Sequence, residues 1–72
     1  MKVYIQSKSG KYNVVWDDSR GRNLDSIFLA LRRDGAFRCV KFGVLHILPF
    51  EEIEYIREAT DEIADFGGPR DV

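Results

Sequence analysis

Residues 49–66, PFEEIEYIREATDEIADF, decide the fold of this 72-residue chain, because two secondary structures fit them. Pro49 suits the first position of a helix, and apolar residues then recur at helical spacing before the Gly67-Gly68-Pro69 stop. These apolar positions are Phe50, Ile53, Ile56, Ile63 and Ala64. The pattern predicts a second helix over 49–66, followed by a frayed tail over 67–72.

The same region can also be read as strands. Residues 45–57, LHILPFEEIEYIR, fit the order strand, tight turn, strand, and in that form they resemble the closing strands of Sm-like RNA-binding barrels. The resemblance covers 13 residues and includes no diagnostic motif. It implies a small Sm- or SH3-like β-barrel with one helix, which stays open beside the two-helix interpretation.

A first helix is predicted over residues 23–34. Asn23 has the chemistry of an N-cap, and Gly35 can adopt the left-handed conformation that ends a helix. One apolar face follows the i, i+3, i+4, i+7 spacing, and it consists of Leu24, Ile27, Phe28 and Leu31. Leu29 lies off this face, so another element covers it or it is exposed.

Two strand pairs flank this helix. Residues 1–16 predict a β-hairpin with Val3 and Ile5 on its core side. Residues 36–48 predict two strands that turn at Phe42-Gly43, because one extended strand of that length would measure about 43 Å. A compact domain of this size has a radius of gyration of only about 11 Å.

The resulting order is ββαββα. It predicts one α+β domain over residues 1–72, with an antiparallel sheet of about four strands and both helices on one face.

Charge is sorted along the sequence. The formal net charge is −1, but residues 1–41 carry nine basic and four acidic side chains, whereas residues 42–72 carry two basic and eight acidic ones. With 44% hydrophobic residues the chain should fold, and its small core makes a partner subunit a reasonable expectation. No signal peptide or membrane-spanning run is visible, so a cytoplasmic location is predicted.

Cys39 and His46 are the only cysteine and the only histidine, which excludes an internal disulfide and a Cys/His zinc cage from this chain. If the chain turns at Phe42-Gly43, the two residues lie opposite each other, as a nucleophile and a base would. A buried thiol and a structural histidine are favoured, because no other feature supplies an oxyanion hole. No catalytic residue, metal ligand, cofactor or small-molecule substrate is predicted.

The acidic side of the predicted second helix, together with Leu29, is the first candidate interaction face. It comprises Leu29, Glu51, Glu54, Glu58, Asp61 and Asp65. Like charges at i, i+4 in a helix cost about 0.2–0.5 kcal/mol per pair. Three interpretations remain: a solvated face, a docking face for a basic protein surface or a mimic of nucleic-acid phosphates, and a Mg²⁺ or Ca²⁺ site without EF-hand spacing.

A basic, aromatic sheet face is the second candidate. It comprises Lys2, Tyr4, Arg20, Arg22, Arg38 and Lys41. Such a face would combine phosphate contacts with base stacking, although the sequence pI of about 5.7 weighs against it. The sequence therefore favours a non-enzymatic protein-binding module, regulatory or adaptor-like, that forms a homo-oligomer or binds another protein. A small nucleic-acid-binding protein is the alternative.

Overall fold

A computed structural model describes residues 1–68, which form one small α+β domain with five strands and one α-helix. The elements are β1 (Lys2–Ser7), β2 (Asn13–Asp17), α1 (Leu24–Asp34), β3 (Ala36–Lys41), β4 (Val44–Pro49), a 3₁₀ turn (Phe50–Glu52) and β5 (Ile53–Glu58). Most of the frayed tail predicted over 67–72 lies outside the described residues.

Helix α1 confirms the sequence prediction at both of its ends. The Asn23 side chain accepts a hydrogen bond from the main-chain N–H of Ser26 at 2.8 Å. Gly35 ends the helix at φ 79°, and its N–H donates to the carbonyl of Leu31. Leu29 is 58% exposed, so no other element among the described residues covers it.

Both predicted hairpins form. In the first, β1 and β2 pair antiparallel with Val3 opposite Trp16. In the second, β3 and β4 turn at Phe42-Gly43, and both turn residues have positive φ, at 53° and 75°. Positive φ at both central residues is the geometry of a type I′ turn, which matches the twist of the two strands it joins.

The prediction of a helix over 49–66 is wrong. Residues 53–58 form β5, which pairs antiparallel with β1 and places Ile53 opposite Ser7 and Ile56 opposite Ile5. The register of the β1–β5 pairing shifts between Gln6 and Ser7, because Glu54 is an extra residue on the β5 side. Such a bulge turns residues three apart toward the same face of a strand, so the apolar spacing that indicates a helix is equally the spacing of a bulged strand.

The prediction of a single four-stranded sheet covered by two helices is therefore also wrong. The strands form two antiparallel sheets, with orders β2-β1-β5 and β3-β4. The strand-turn-strand interpretation of residues 45–57 is right locally, but in residues 1–68 the two sheets do not close into a barrel. One core lies between the sheets and α1: Val3, Ile5, Val14, Trp16, Ile27, Leu31, Phe37, Cys39 and Ile53.

Residues 59–66, the terminal strap, run from the end of β5 to the edge of β2. The N–H of Ala59 donates to the carbonyl of Lys2 at 2.9 Å, and the N–H of Asp65 donates to the carbonyl of Val15. The ring of Phe66 packs against the core, and the main chain of Phe66 forms an isolated parallel β-bridge with Trp16. The strap thus supplies hydrogen-bond partners to the edge of β2.

Candidate functional site

The edge of β4 is a feature of the second hairpin that the sequence did not single out. Among the described residues, β4 pairs with β3 alone. The N–H of Phe50 donates to the carbonyl of Gly35, just beyond the last residue pair of the hairpin. Because hydrogen-bonded and non-hydrogen-bonded pairs alternate along an antiparallel ladder, Leu45 and Ile47 direct their main-chain groups away from β3. The edge therefore offers two N–H and two C=O groups.

The side chains on this edge strand are uncharged and largely exposed. The strand reads VLHILP, with no Lys, Arg, Asp or Glu. Leu45 is 44% exposed and Ile47 is 54% exposed, and they share one sheet face with Val40 and Arg38. Natural edge strands are usually protected from pairing with other chains by charges, bulges or covering loops. The described part of β4 carries none of these beyond its terminal Pro49.

Phe42 lies at the tip of the same hairpin. Its side chain is 93% exposed, and its backbone is left-handed at φ 53°. A left-handed conformation costs a bulky L-residue about 1–2 kcal/mol relative to Gly or Asn. The ammonium of Lys41 lies 5.9 Å from the centroid of the Phe42 ring, but neither burial nor local backbone preference explains a phenylalanine at this position. We define the hairpin surface as Phe42, Leu45, Ile47 and the free edge of β4.

The outer face of the three-stranded sheet carries an aromatic and cationic stack. The rings of Tyr4 and Tyr55 lie 6.1 Å apart between centroids at 25°, and the guanidinium of Arg57 lies 4.2 Å from the Tyr4 centroid. Arg57 also donates a hydrogen bond to Glu62 of the strap, and this bond holds the pKa of Glu62 at about 2. The ammonium of Lys2 donates to the carbonyl of Glu62. Both cations are thus engaged by the chain itself.

The residues of the predicted nucleic-acid face separate into three groups. Lys2 and Tyr4 lie on the outer face of β1, while Lys41 pairs with Asp65 at 3.3 Å. The other three line a cleft between β3, α1 and the β2–α1 connection: Arg20, Arg22 and Arg38. The fold therefore does not gather the six residues into one continuous face.

The predicted acidic face has lost the helix that would have aligned its carboxylates. Glu51 lies in the 3₁₀ turn, Glu54 is at the bulge of β5, and Glu58 ends β5. Asp61 and Asp65 belong to the strap, where the Asp65 carboxylate accepts from the N–H of Val15 at 2.9 Å. Leu29 sits on α1. These residues are distributed over separate elements.

Cys39 and His46 do lie opposite each other across the second hairpin, as the turn position predicts. The hydroxyl of Tyr12 lies 3.2 Å from Nδ1 of His46 and 4.0 Å from Sγ of Cys39. Cys39 is completely buried, and burial raises the pKa of its thiol. Burial likewise raises the pKa of Tyr12. A neutral, inaccessible thiol is a core residue and a poor nucleophile.

Two further findings concern the described residues as a whole. Within residues 1–68 no three His, Cys, Asp or Glu side chains are grouped so that they could hold a metal ion. That same portion of the chain has no helix with the length and apolar character needed to cross a bilayer.

Comparison with protein-family models, with curated proteins and with solved structures gave no match in any of the three. Function has to be inferred from the chemistry and geometry of this chain alone.

Proposed function

We propose that this protein is a non-enzymatic, cytoplasmic protein-binding module that works through the hairpin surface. The observation that carries the proposal is the coincidence, on one strand, of a free edge and exposed apolar side chains without a single charge. Strand addition to such an edge gives affinity through main-chain hydrogen bonds and specificity through alternate side chains. Phe42 adds an exposed aromatic ring at the tip, where interface anchors are often aromatic.

The partner we propose is a second copy of the chain. Antiparallel pairing of β4 with itself brings no Lys, Arg, Asp or Glu side chains of the strand together, because the strand has none. The register that uses all four outward main-chain groups of each edge places Leu45 opposite Ile47 of the second copy. A four-stranded sheet would result, with Val40, Leu45 and Ile47 of both copies on one face and Arg38 beside them, which suits a domain whose own core is small.

Substitution at Ile47 tests this dimer. Ile47→Lys places a charge on the outer face of the edge strand, and since Ile47 is exposed the fold should survive. We expect sedimentation equilibrium over a dilution series to show a monomer–dimer equilibrium for the wild type and a dissociation constant at least tenfold higher for Ile47→Lys.

Leu29→Lys is the matched control, because Leu29 is 58% exposed on α1, away from the hairpin. It should leave the dissociation constant unchanged. A wild-type protein that stays monomeric throughout the series would refute self-association, and an equal effect of Leu29→Lys would move the contact to the helix.

The second candidate function is binding of single-stranded nucleic acid by the outer face of the three-stranded sheet. The stacked Tyr4 and Tyr55 rings favour it, because bases stack on exposed aromatic side chains. The pairing of Arg57 with Glu62 reduces the charge available for phosphates.

Titration of an oligonucleotide at low and high salt tests this second candidate. Binding that weakens with salt, and that is lost in Tyr55→Ser but kept in Ile47→Lys, would support it. Absence of salt-dependent binding would exclude it.

A further inference from the structure

We infer that the cleft between α1, β3 and the β2–α1 connection binds an organic carboxylate with a short apolar group. The cleft is small, with a cavity volume of about 50 Å³, and it opens to solvent at the rim. Its rim carries the guanidinium groups of Arg20, Arg22 and Arg38, and its floor is apolar. The cleft adjoins the hairpin surface, because Arg38 lies directly opposite Ile47 across the β3–β4 pairing, but the inference does not depend on the proposed dimer.

The rim has an excess of two positive charges. Arg22 is matched by Asp18, which accepts from both Nε at 3.3 Å and Nη2 at 2.8 Å. Asp34 also lines the cleft and pairs with a neighbouring arginine on α1. Within residues 1–68, Arg20 and Arg38 have no ion-pair partner. With Asp18 and Asp34 each matched by an arginine, Arg20 and Arg38 remain as two positive groups that the carboxylate of a ligand can engage.

The rim is also held in position before any ligand binds. The carboxylate of Asp18 is almost fully buried, and its two hydrogen bonds fix the guanidinium of Arg22 beside the cleft. The planar fork of a guanidinium matches the two oxygens of a carboxylate. Arg20 and Arg38 are therefore the groups that would contact the ligand, with Arg22 as a fixed positive neighbour.

The floor favours a ligand that also has an apolar part. It is the outer side of the core, where Trp16, Ile27, Leu31 and Phe37 expose 0–7% of their surface, together with the small, partly exposed side chain of Ala30. The Nε1–H of Trp16 is buried and has no hydrogen-bond partner among residues 1–68. An acceptor that reached this group would satisfy it. A short hydrocarbon group on the floor and a carboxylate at the rim would use both parts of the cleft.

Trp16 is the only tryptophan, so its indole N–H resonance reports on the floor without ambiguity. Butyrate is titrated into the ¹⁵N-labelled full chain at constant ionic strength, beside acetate and inorganic phosphate. We expect a saturable shift with butyrate, at lower concentration than with acetate. Arg20→Gln and Arg38→Gln should each weaken binding about tenfold, the loss typical of one charge-assisted hydrogen bond.

Two variants separate the cleft from general charge effects. Arg32→Gln removes an exposed arginine of α1 that neither lines the cleft nor pairs with a carboxylate of its rim, and it should leave butyrate binding unchanged. Ala30→Leu fills the floor while retaining every arginine and should abolish the shift. A shift that never saturates, that survives Arg38→Gln, or that is equal for butyrate and acetate would overturn the inference. Tighter binding of phosphate than of butyrate would also overturn it.

N-acetylvaline distinguishes the two sources of such a ligand. It presents a carboxylate beside a short apolar side chain, as the C-terminus of a peptide does. Tighter saturation by N-acetylvaline than by butyrate would assign the cleft to a peptide C-terminus, and the reverse order would assign it to a free carboxylic acid.

Discussion

The two sheets of this domain complete their surfaces in opposite ways. On its β2 side the three-stranded sheet is completed by its own chain: the strap pairs with the edge of β2, and Glu62 engages both Arg57 and Lys2. The two-stranded sheet keeps a free, uncharged edge and exposed apolar side chains. A surface whose hydrogen bonds and charges are satisfied internally contributes to stability. One whose groups remain unsatisfied is available to another molecule.

The largest expected effect compares two isoleucines, one in each sheet. Ile5 is completely buried in β1, whereas Ile47 is 54% exposed in β4. Ile5→Ala should lower the free energy of unfolding by about 3 kcal/mol, because it leaves a cavity in the core. Ile47→Ala should change it by less than about 0.5 kcal/mol. Urea denaturation of dilute protein measures both, and equal losses would contradict the division between the sheets.

Two ion pairs, one buried and one exposed, should differ in their contribution to stability in the same way as the two isoleucines, but by a smaller amount. Asp18 is buried and bonded twice by Arg22, which lowers the pKa of its carboxyl group. Asp18→Asn should destabilise the fold by about 2 kcal/mol, below the range for a fully buried pair because Arg22 is partly exposed. Asp34→Asn, at an exposed pair, should cost less than about 1 kcal/mol. Similar urea midpoints for the two variants would contradict this ranking.

The hairpin tip should respond in the stabilising direction. Phe42→Asn replaces a strained residue by one that favours the left-handed conformation of a type I′ turn. We expect the free energy of unfolding to rise by about 0.5–1 kcal/mol while self-association weakens. Gly43→Ala at φ 75° is the control and should destabilise the hairpin. Loss of stability in Phe42→Asn would show that the exposed ring supports the fold.

The smallest expected effect concerns the strap and pH. Glu62 has a folded-state pKa of about 2, below its ordinary value of 4.5, because Arg57 donates to its carboxylate. Its contribution to stability is therefore complete above pH 4.5, falls as the pH drops through this interval and is lost below about pH 2.

Glu62→Gln should accordingly lose less stability than the wild type between these pH values, as measured by urea midpoints. Glu51→Gln, at an exposed carboxylate of the 3₁₀ turn, serves as the control and should follow the wild-type profile. Identical profiles for Glu62→Gln and the wild type would show that the Arg57–Glu62 pair contributes nothing in solution.

Local signals predicted the elements whose structure is determined locally. Asn23 and Gly35 act on the main chain of their own helix, and Phe42-Gly43 closes a two-residue turn. The hairpin surface was harder to predict, because the sequence VLHILP is equally typical of a buried strand. Its lack of charge was the available signal, but only its position at an edge gives that signal meaning.

The sequence by itself determined the capped helix α1, the two hairpins and the turn that places Cys39 opposite His46. Tertiary structure decided residues 49–66. Their apolar spacing fits a helix, but β1 has two edges, and pairing with β2 satisfies only one of them. Pairing of β5 with the other edge, with a bulge at Glu54, buries Ile53 and satisfies main-chain groups of β1. The need to pair the second edge of β1 arises some fifty residues away in the sequence, so no local pattern within residues 49–66 can indicate it.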